Sequence, residues 1–168
     1  TYYESGARSF YTVDKPIRKL DDLKGLKIRV QTSPTQVEMV KLMGGAPTPM
    51  NFGDIYTALQ QKVIDGAESN ELVLTNDKHG EVAKYYARTE HQIFTDMLVG
   101  NTEFLDSLSE NEKMVLNESF HLATRVECEE WDKQINECIV EAEKMGVEFI
   151  EVDTELFREK VLTLQQEM

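Results

Sequence analysis

Arg29 stands in the run Lys27-Ile28-Arg29-Val30, one cation among aliphatic neighbours at the end of a short strand pattern. A guanidinium is a planar fork of donors that pairs bidentately with a carboxylate and keeps its charge at any physiological pH. An arginine so placed is suited to recognising a small carboxylate; the alternative is a structural ion pair with Asp65 or Glu68. Thr32, Phe52, Glu68, Ser69 and Asn70 fall with Arg29 near the carboxyl ends of predicted strands, where open α/β sheets bind their ligands. Asp54, Asp65 and Glu68 could in principle supply an acid and a base. No nucleophile elbow, phosphate loop, dinucleotide fingerprint, zinc-protease motif or paired Cys/His ligand set accompanies them. The residue types leave a binding site and an acid–base enzyme both open, and indicate no cofactor or metal set.

The elements that must position these residues read as β-α-β-α-β between Lys24 and Asn70. After the first strand, Ser33 is placed to cap a helix that opens on Pro34 and stops at Gly44-Gly45. Pro47 to Met50 is extended, and a second helix from Gly53 to Lys62 puts Ile55, Ala58 and Leu59 on one face. Val63 to Glu68 is predicted as a strand running into a turn, and Ser69 to Asp77 as a helix. Upstream, Thr1 to Val13 is a strand with a bulge or turn near Gly6, and Asp21 to Gly25 a single helical turn. Downstream, Glu81 to Ala87 is a helix or a turn into strand. His91 to Phe94 and Met97 to Val99 are extended segments able to cross to another sheet. Asn101 opens a short helix.

Ser109 and Glu112 form a capping box, and no Gly or Pro follows until Gly146, which predicts one long helix. Trp131, Ile135, Cys138, Ile139, Ala142 and Met145 make an apolar stripe along it. The stripe changes phase before Trp131, which argues against a sustained coiled coil. Val147 to Val152 is a strand, and Thr154 is placed to cap a last helix. Cys128 and Cys138 are about 15 Å apart along that helix, too far to bridge, and are expected as free thiols at or near a buried face. Tyr56 is assigned to helix core and His91 to a satisfied surface position.

A chain of 168 residues supports one domain with a real core. Its net charge of −13 argues against nucleic acid as a partner and makes any anion site a local exception built on placed arginines. No apolar run approaches the length of a membrane span, no secretion signal is present, and the chain opens on Thr1, which reads as a processed or excised piece.

The motifs KGLKIRVQ, GGAPTPMNFGDIYTALQQ and VIDGAESN resemble, in order and spacing, the signature of the substrate-binding proteins of TRAP (tripartite ATP-independent periplasmic) transporters, the DctP type. Weaker similarity extends over nearly the whole chain. The resemblance implies an α/β, periplasmic binding protein-like fold: a second lobe of β-α-β units plus a long lobe-spanning helix, with the first lobe largely missing. Residues 1–95 would form the substrate-binding lobe, 96–146 the crossing strand and spanning helix, and 147–168 the strand and helix that return to the lobe. It further implies capture of a small carboxylate by cleft closure and delivery to TRAP membrane permease subunits. The location would be periplasmic or extracytoplasmic (lipid-anchored in a Gram-positive host), peripheral to the membrane through the permease.

Residue by residue, Arg29 matches the family arginine that salt-bridges the ligand. Arg8, within GAR, matches a second family arginine, although taken alone it reads as a solvated strand-edge residue. Phe52 matches an aromatic beside the ligand, against plain core packing. The family asparagine that follows Asp-Gly-x-Glu is Ser69 here, with Asn70 one place later, so either Ser69 does a reduced job or Asn70 takes over. GARSFYT, HGEVAKYY and DMLVG are most similar to the sugar-acid binders, which favours a hexuronate; a C4-dicarboxylate or keto acid is the alternative. A hydrolase of sugar-acid conjugates and an interaction module using the acidic long helix are the readings from other classes.

Overall fold

A computed structural model describes residues 1–167. Its spine is a pair of long antiparallel strands, β1 (Tyr2–Thr12) and β5 (Tyr85–Met97), in register from Tyr2↔Met97 to Thr12↔Tyr85. The pairing slips between Glu4 and Ala7, where Gly6 takes a φ of 68°. A Cβ on Gly6 would lie 2.9 Å from Cζ2 of Trp131, so this bulge also lets the long helix cross the strand at close range.

Around the spine, β2 (Lys27–Val30), β3 (Ala46–Pro49), β4 (Gly66–Ser69) and β6 (Glu148–Glu151) complete a six-stranded sheet of order β3-β2-β4-β1-β5-β6. β2 runs parallel to both β3 and β4, β5 runs parallel to β6, and β1 is antiparallel to its two neighbours. The helices are α1 (Pro34–Leu42), α2 (Ile55–Gln60), α3 (Thr102–Ser107), α4 (Glu110–Lys144) and α5 (Thr154–Glu167).

Strand alternation splits the apolar residues between two cores. Phe10, Ile28, Val30 and Ala87 pack under α1 and α5 against Met39, Val40 and Phe157. Tyr11, Ala67 and Tyr86 pack on the other side against Ile55 and Leu59 of α2, and Cys138 and Ala142 of α4. Successive residues such as Phe10 and Tyr11 thus serve opposite faces, as the pleat requires of a sheet covered on both sides.

Several predicted boundaries move. β4 begins at Gly66 rather than Val63 because α2 ends in a Schellman turn: Lys62 sits at φ 57°, its amide donates to Leu59, and the Val63 amide donates to Ala58. Gly66 itself has no room for a side chain, since a Cβ would lie 2.4 Å from the Tyr11 carbonyl oxygen. The predicted helix after Ser69 is a single 3-10 turn, Glu71–Leu74, because Ser69 still belongs to β4, opposite Ser9, and Asn70 is the cap. A second 3-10 turn, His79–Glu81, precedes β5.

The extended segments at His91 and Met97 belong to one continuous strand in the same sheet, held throughout by β1. Asp153, whose Oδ1 accepts from the Glu155 amide, caps α5, and Thr154, the expected cap, is its first residue. Cys128 is exposed rather than near a buried face. Only Cys138 and Ala142 of the α4 stripe are fully buried. Tyr56, placed in the helix core from sequence, donates from its hydroxyl to Glu81 Oε2 at 2.8 Å.

The Ser109–Glu112 capping box is present, and α4 runs unbroken for 35 residues. Its first half carries exposed Met114, Val115, Leu122 and Val126.

Candidate functional site

β2 and β4 run parallel, with Arg29 opposite Ala67, so their carboxyl ends reach one edge of the sheet. β1 runs the other way, which brings its first half and Arg8 to the same edge, and Gln92 of β5 lies opposite Arg8. Topology therefore collects the two arginines from strands that are separated in the sheet by β4.

Arg29 is buried, and its Nε and Nη2 donate to the Met50 carbonyl at 3.0 and 2.8 Å. That bond uses one edge of the guanidinium. The other edge, Nη1 with Nη2, meets no carboxylate among the described residues. The alternative of a structural pair is not realised: Glu68 belongs to Arg8, and Asp65 accepts from the Lys27 amide at 2.8 Å. Phe52 lies 5.9 Å from the guanidinium carbon, ring to cation, and is 49% exposed. A free donor edge beside an open aromatic face is the arrangement that seats a carboxylate on an apolar-faced ring. Burial pulls Arg29 below the usual arginine range, and Glu68 and Tyr11 oppose that pull.

Arg8 is also buried, and its guanidinium is paired within the chain. Its Nε donates to Glu68 Oε2 at 2.5 Å, and Nη2 donates to Oε1 and to the Glu68 carbonyl at 3.0 and 2.8 Å. Its guanidinium lies 4.9 Å from the Phe94 ring. Burial pushes the Glu68 carboxyl up, while Arg8 and then Arg29 hold it down. Two guanidiniums against one carboxylate leave a single positive charge at this edge of a chain whose net charge is −13. One ligand carboxylate would balance it.

The remaining predicted residues are distributed as follows. Thr32 is exposed on the loop leaving β2. Ser69 ends β4, buried, with Tyr86 donating to its carbonyl at 3.0 Å. Asn70 is engaged locally: its Oδ1 accepts from the Leu72 amide at 3.1 Å, and its Nδ2 donates to the Ser5 carbonyl at 3.0 Å. Arg29 thus meets Phe52, Arg8 pairs with Glu68, Ser69 follows Glu68 along β4, and Asn70 ties the following turn to β1.

Sequence reasoning missed Tyr11 and His79. Both are fully buried, they share a hydrogen bond of 2.8 Å between the Tyr11 hydroxyl and His79 Nδ1, and the His79 ring lies 6.1 Å from Phe52. Burial lowers His79, and burial followed by Glu68 raises Tyr11. The signal available was the motif HGEVAKYY, which places His79 but not its partner on β1.

His91 is half-buried rather than solvated on the surface. It stacks on Phe10 at 4.2 Å, its Nδ1 is 2.8 Å from Thr89 Oγ1, and its buried Nε2 has no partner among the described residues. Burial, then Arg8, lowers it to about 3. The unfolded ring titrates near 6.5, so below that pH the unfolded chain binds the extra proton. Stability is therefore expected to fall as pH drops from about 6.5 towards about 3, by up to ~1.4 kcal/mol per pH unit from this group. Urea unfolding of His91→Gln against the parent across that range checks this, and an identical pH slope in both contradicts it.

The larger cavities lie elsewhere: one of about 560 Å³ between α1, β5 and α5, one of about 400 Å³ between α4 and the turn that follows β4, and an apolar groove of about 390 Å³ between α3 and α4. None of them is lined by Arg29.

A family model for bacterial extracellular solute-binding proteins, family 7 (DctP), matches residues 1–168. The chain belongs to that family. Its fold is shared with a TRAP periplasmic solute binding protein of Anaerococcus prevotii, solved with bound α/β-D-glucuronate: TM-score 0.94 and 46% identity, over 99% of this chain and 54% of that one. A TRAP periplasmic solute binding protein of Xanthobacter autotrophicus, solved with β-D-galacturonate, gives TM-score 0.94 at 38% identity, over 99% and 56%. The 2,3-diketo-L-gulonate-binding periplasmic protein of Escherichia coli is 36% identical over 108 residues, 64% of this chain and 33% of its own length. The chain spans about half the length of the curated relatives it matches. The α/β binding-protein fold expected from the DctP motifs is thereby established.

Proposed function

We propose that the intact protein is the substrate-binding subunit of a TRAP transporter, capturing a hexuronate outside the cytoplasmic membrane and delivering it to a membrane permease. The observation that carries this reading is the free Nη1/Nη2 edge of Arg29 beside the half-exposed ring of Phe52. The ligand carboxylate takes that edge, and an apolar face of the sugar ring takes the phenyl face. Charge-assisted hydrogen bonds contribute ~1.5–3 kcal/mol each, so a bidentate contact supplies a large part of the ~8 kcal/mol of a micromolar complex.

Arg8 keeps Glu68 neutralised beneath the site and leaves Nη1 for the ligand or its water. Ser69 and Thr32 offer hydroxyls from the ends of β4 and β2, and Asn70 shapes the turn that follows. The glucuronate and galacturonate bound to the two neighbouring structures support the uronate class. Among the described residues no helix is long and apolar enough to cross a membrane, and the proposal places membrane contact in the permease. The protein supplies recognition, and the ligand leaves chemically unchanged.

The test is a thermal-shift screen of the intact protein against uronates, C4-dicarboxylates, keto acids and sialic acid, with the ligand re-isolated afterwards. A ligand at 100 times its Kd adds ~2.7 kcal/mol, a shift of several degrees. A shift with D-glucuronate or D-galacturonate above the other acids supports the reading. A larger shift with a C4-dicarboxylate or keto acid reassigns the ligand, and turnover of the ligand opposes the reading altogether.

A further inference from the structure

We propose that His79 is a positioning residue for the ligand, acting through Phe52; this rests on the site proposed above. The 3-10 turn at His79–Glu81 lies between β1 and the segment that carries Phe52, and it is tied to both. Toward β1, His79 Nδ1 and the Tyr11 hydroxyl are 2.8 Å apart, and the two rings stack at 5.6 Å. Toward the other side, the His79 ring meets Phe52 at 6.1 Å with a tilt of 41°, and Glu81 accepts from Tyr56, which lies on α2 directly after Phe52.

Neither Tyr11 nor His79 exposes enough surface to contact a ligand: they are 0% and 2% exposed, whereas Phe52 is 49% exposed. Tyr11 lies opposite Ala67, and Ala67 lies opposite Arg29. The hydroxyl that fixes His79 therefore belongs to the same row of the sheet as the arginine. Arg29 in turn holds the carbonyl of Met50, two residues before Phe52. The aromatic wall is thus fixed from one side by Arg29 and from beneath by His79, so its position relative to the free guanidinium edge depends on both. An exposed phenyl ring without a rigid support would sample several rotamers and lose the contact that distinguishes a ring-shaped acid from a simple carboxylate.

A merely structural histidine would lower stability without acting through Phe52, and a double-mutant cycle separates the two. In the intact protein, D-glucuronate binding is measured by calorimetry for the parent, His79→Leu, Phe52→Ala and the double variant, with Arg29→Ala as the control for the site. His79→Leu is expected to weaken binding about tenfold when Phe52 is present, and less than about twofold when it is absent. Tyr11→Phe, which keeps the buried volume, is expected to follow His79→Leu and serves in its place if that variant does not fold. The same factor in both backgrounds, or no effect in either while Arg29→Ala still abolishes binding, overturns the role of His79 and leaves the site intact. No glucuronate binding by the parent, or binding unaffected by Arg29→Ala, overturns the site and this inference together.

Discussion

Arg29→Ala is expected to abolish uronate binding by the intact protein while leaving it folded. The side chain makes two hydrogen bonds to one carbonyl and no ion pair among the described residues, so its removal strands no buried charge. Met50, whose carbonyl loses its donors, is a half-buried residue. What disappears is the single excess positive charge: the remaining Arg8–Glu68 pair is neutral overall. Losing two charge-assisted bonds costs ~3–6 kcal/mol of binding free energy, a factor of at least a hundred. Arg29→Lys restores the charge but not the fork, since an ammonium cannot hold Met50 and both oxygens of a carboxylate in one plane, and it is expected to remain at least about tenfold weaker than the parent. Calorimetric titration with D-glucuronate measures both. Affinity retained within about threefold in Arg29→Ala would remove Arg29 from the site.

Arg8→Ala is expected to act on stability. Glu68 is 1% exposed and depends on Arg8 for both carboxylate oxygens. Removing one partner of a buried pair leaves an uncompensated charge, which costs ~3–5 kcal/mol. The pH dependence carries a specific sign. Burial already raises the Glu68 carboxyl, and Arg8 is the larger of the two arginines that hold it down. Without Arg8 the folded carboxyl binds its proton still more tightly than the unfolded one, near 4.3. Stability of the variant relative to the parent is then greatest at low pH and is lost as pH rises from about 4 through the raised folded value. Replacing both partners, as Arg8→Met with Glu68→Leu, removes the stranded charge and is expected to recover most of the stability. Urea unfolding at several pH values tests the set. A single variant as stable as the parent at neutral pH, or one whose deficit grows on acidification, contradicts the burial account of Glu68.

These two arginines also mark how far sequence carried the site. The strand-end position of Arg29 was legible because KIRV places a cation among aliphatic residues, and that position does not depend on distant contacts; its role toward a ligand rests on the resemblance and is the proposal made above. The division of labour was not legible, because Arg8 and Glu68 are 60 residues apart and meet through the β1–β4 pairing. Nothing local told whether Glu68 would take Arg8 or Arg29. Tyr11 and His79, 68 residues apart, were hidden for the same reason. The long helix and its capping box were read correctly because they are local and lack breakers. The start of β4 was misplaced because the apolar pair Val63-Ile64 looks like strand, whereas Lys62 at positive φ makes Val63 part of the helix terminus. Asn70 was weighed as a ligand donor from its place after Ser69. Its bonds to Leu72 and Ser5 depend on a bulged β1 that composition alone does not reveal.

The central claim is that the free edge of Arg29 receives the ligand, and a crystal structure of the intact protein with D-glucuronate tests it most directly. The predicted result is a carboxylate on Nη1 and Nη2 of Arg29, the sugar ring against Phe52, and the Arg8–Glu68 pair unbroken beneath them. A uronate bound with the Arg29 edge still free would contradict it.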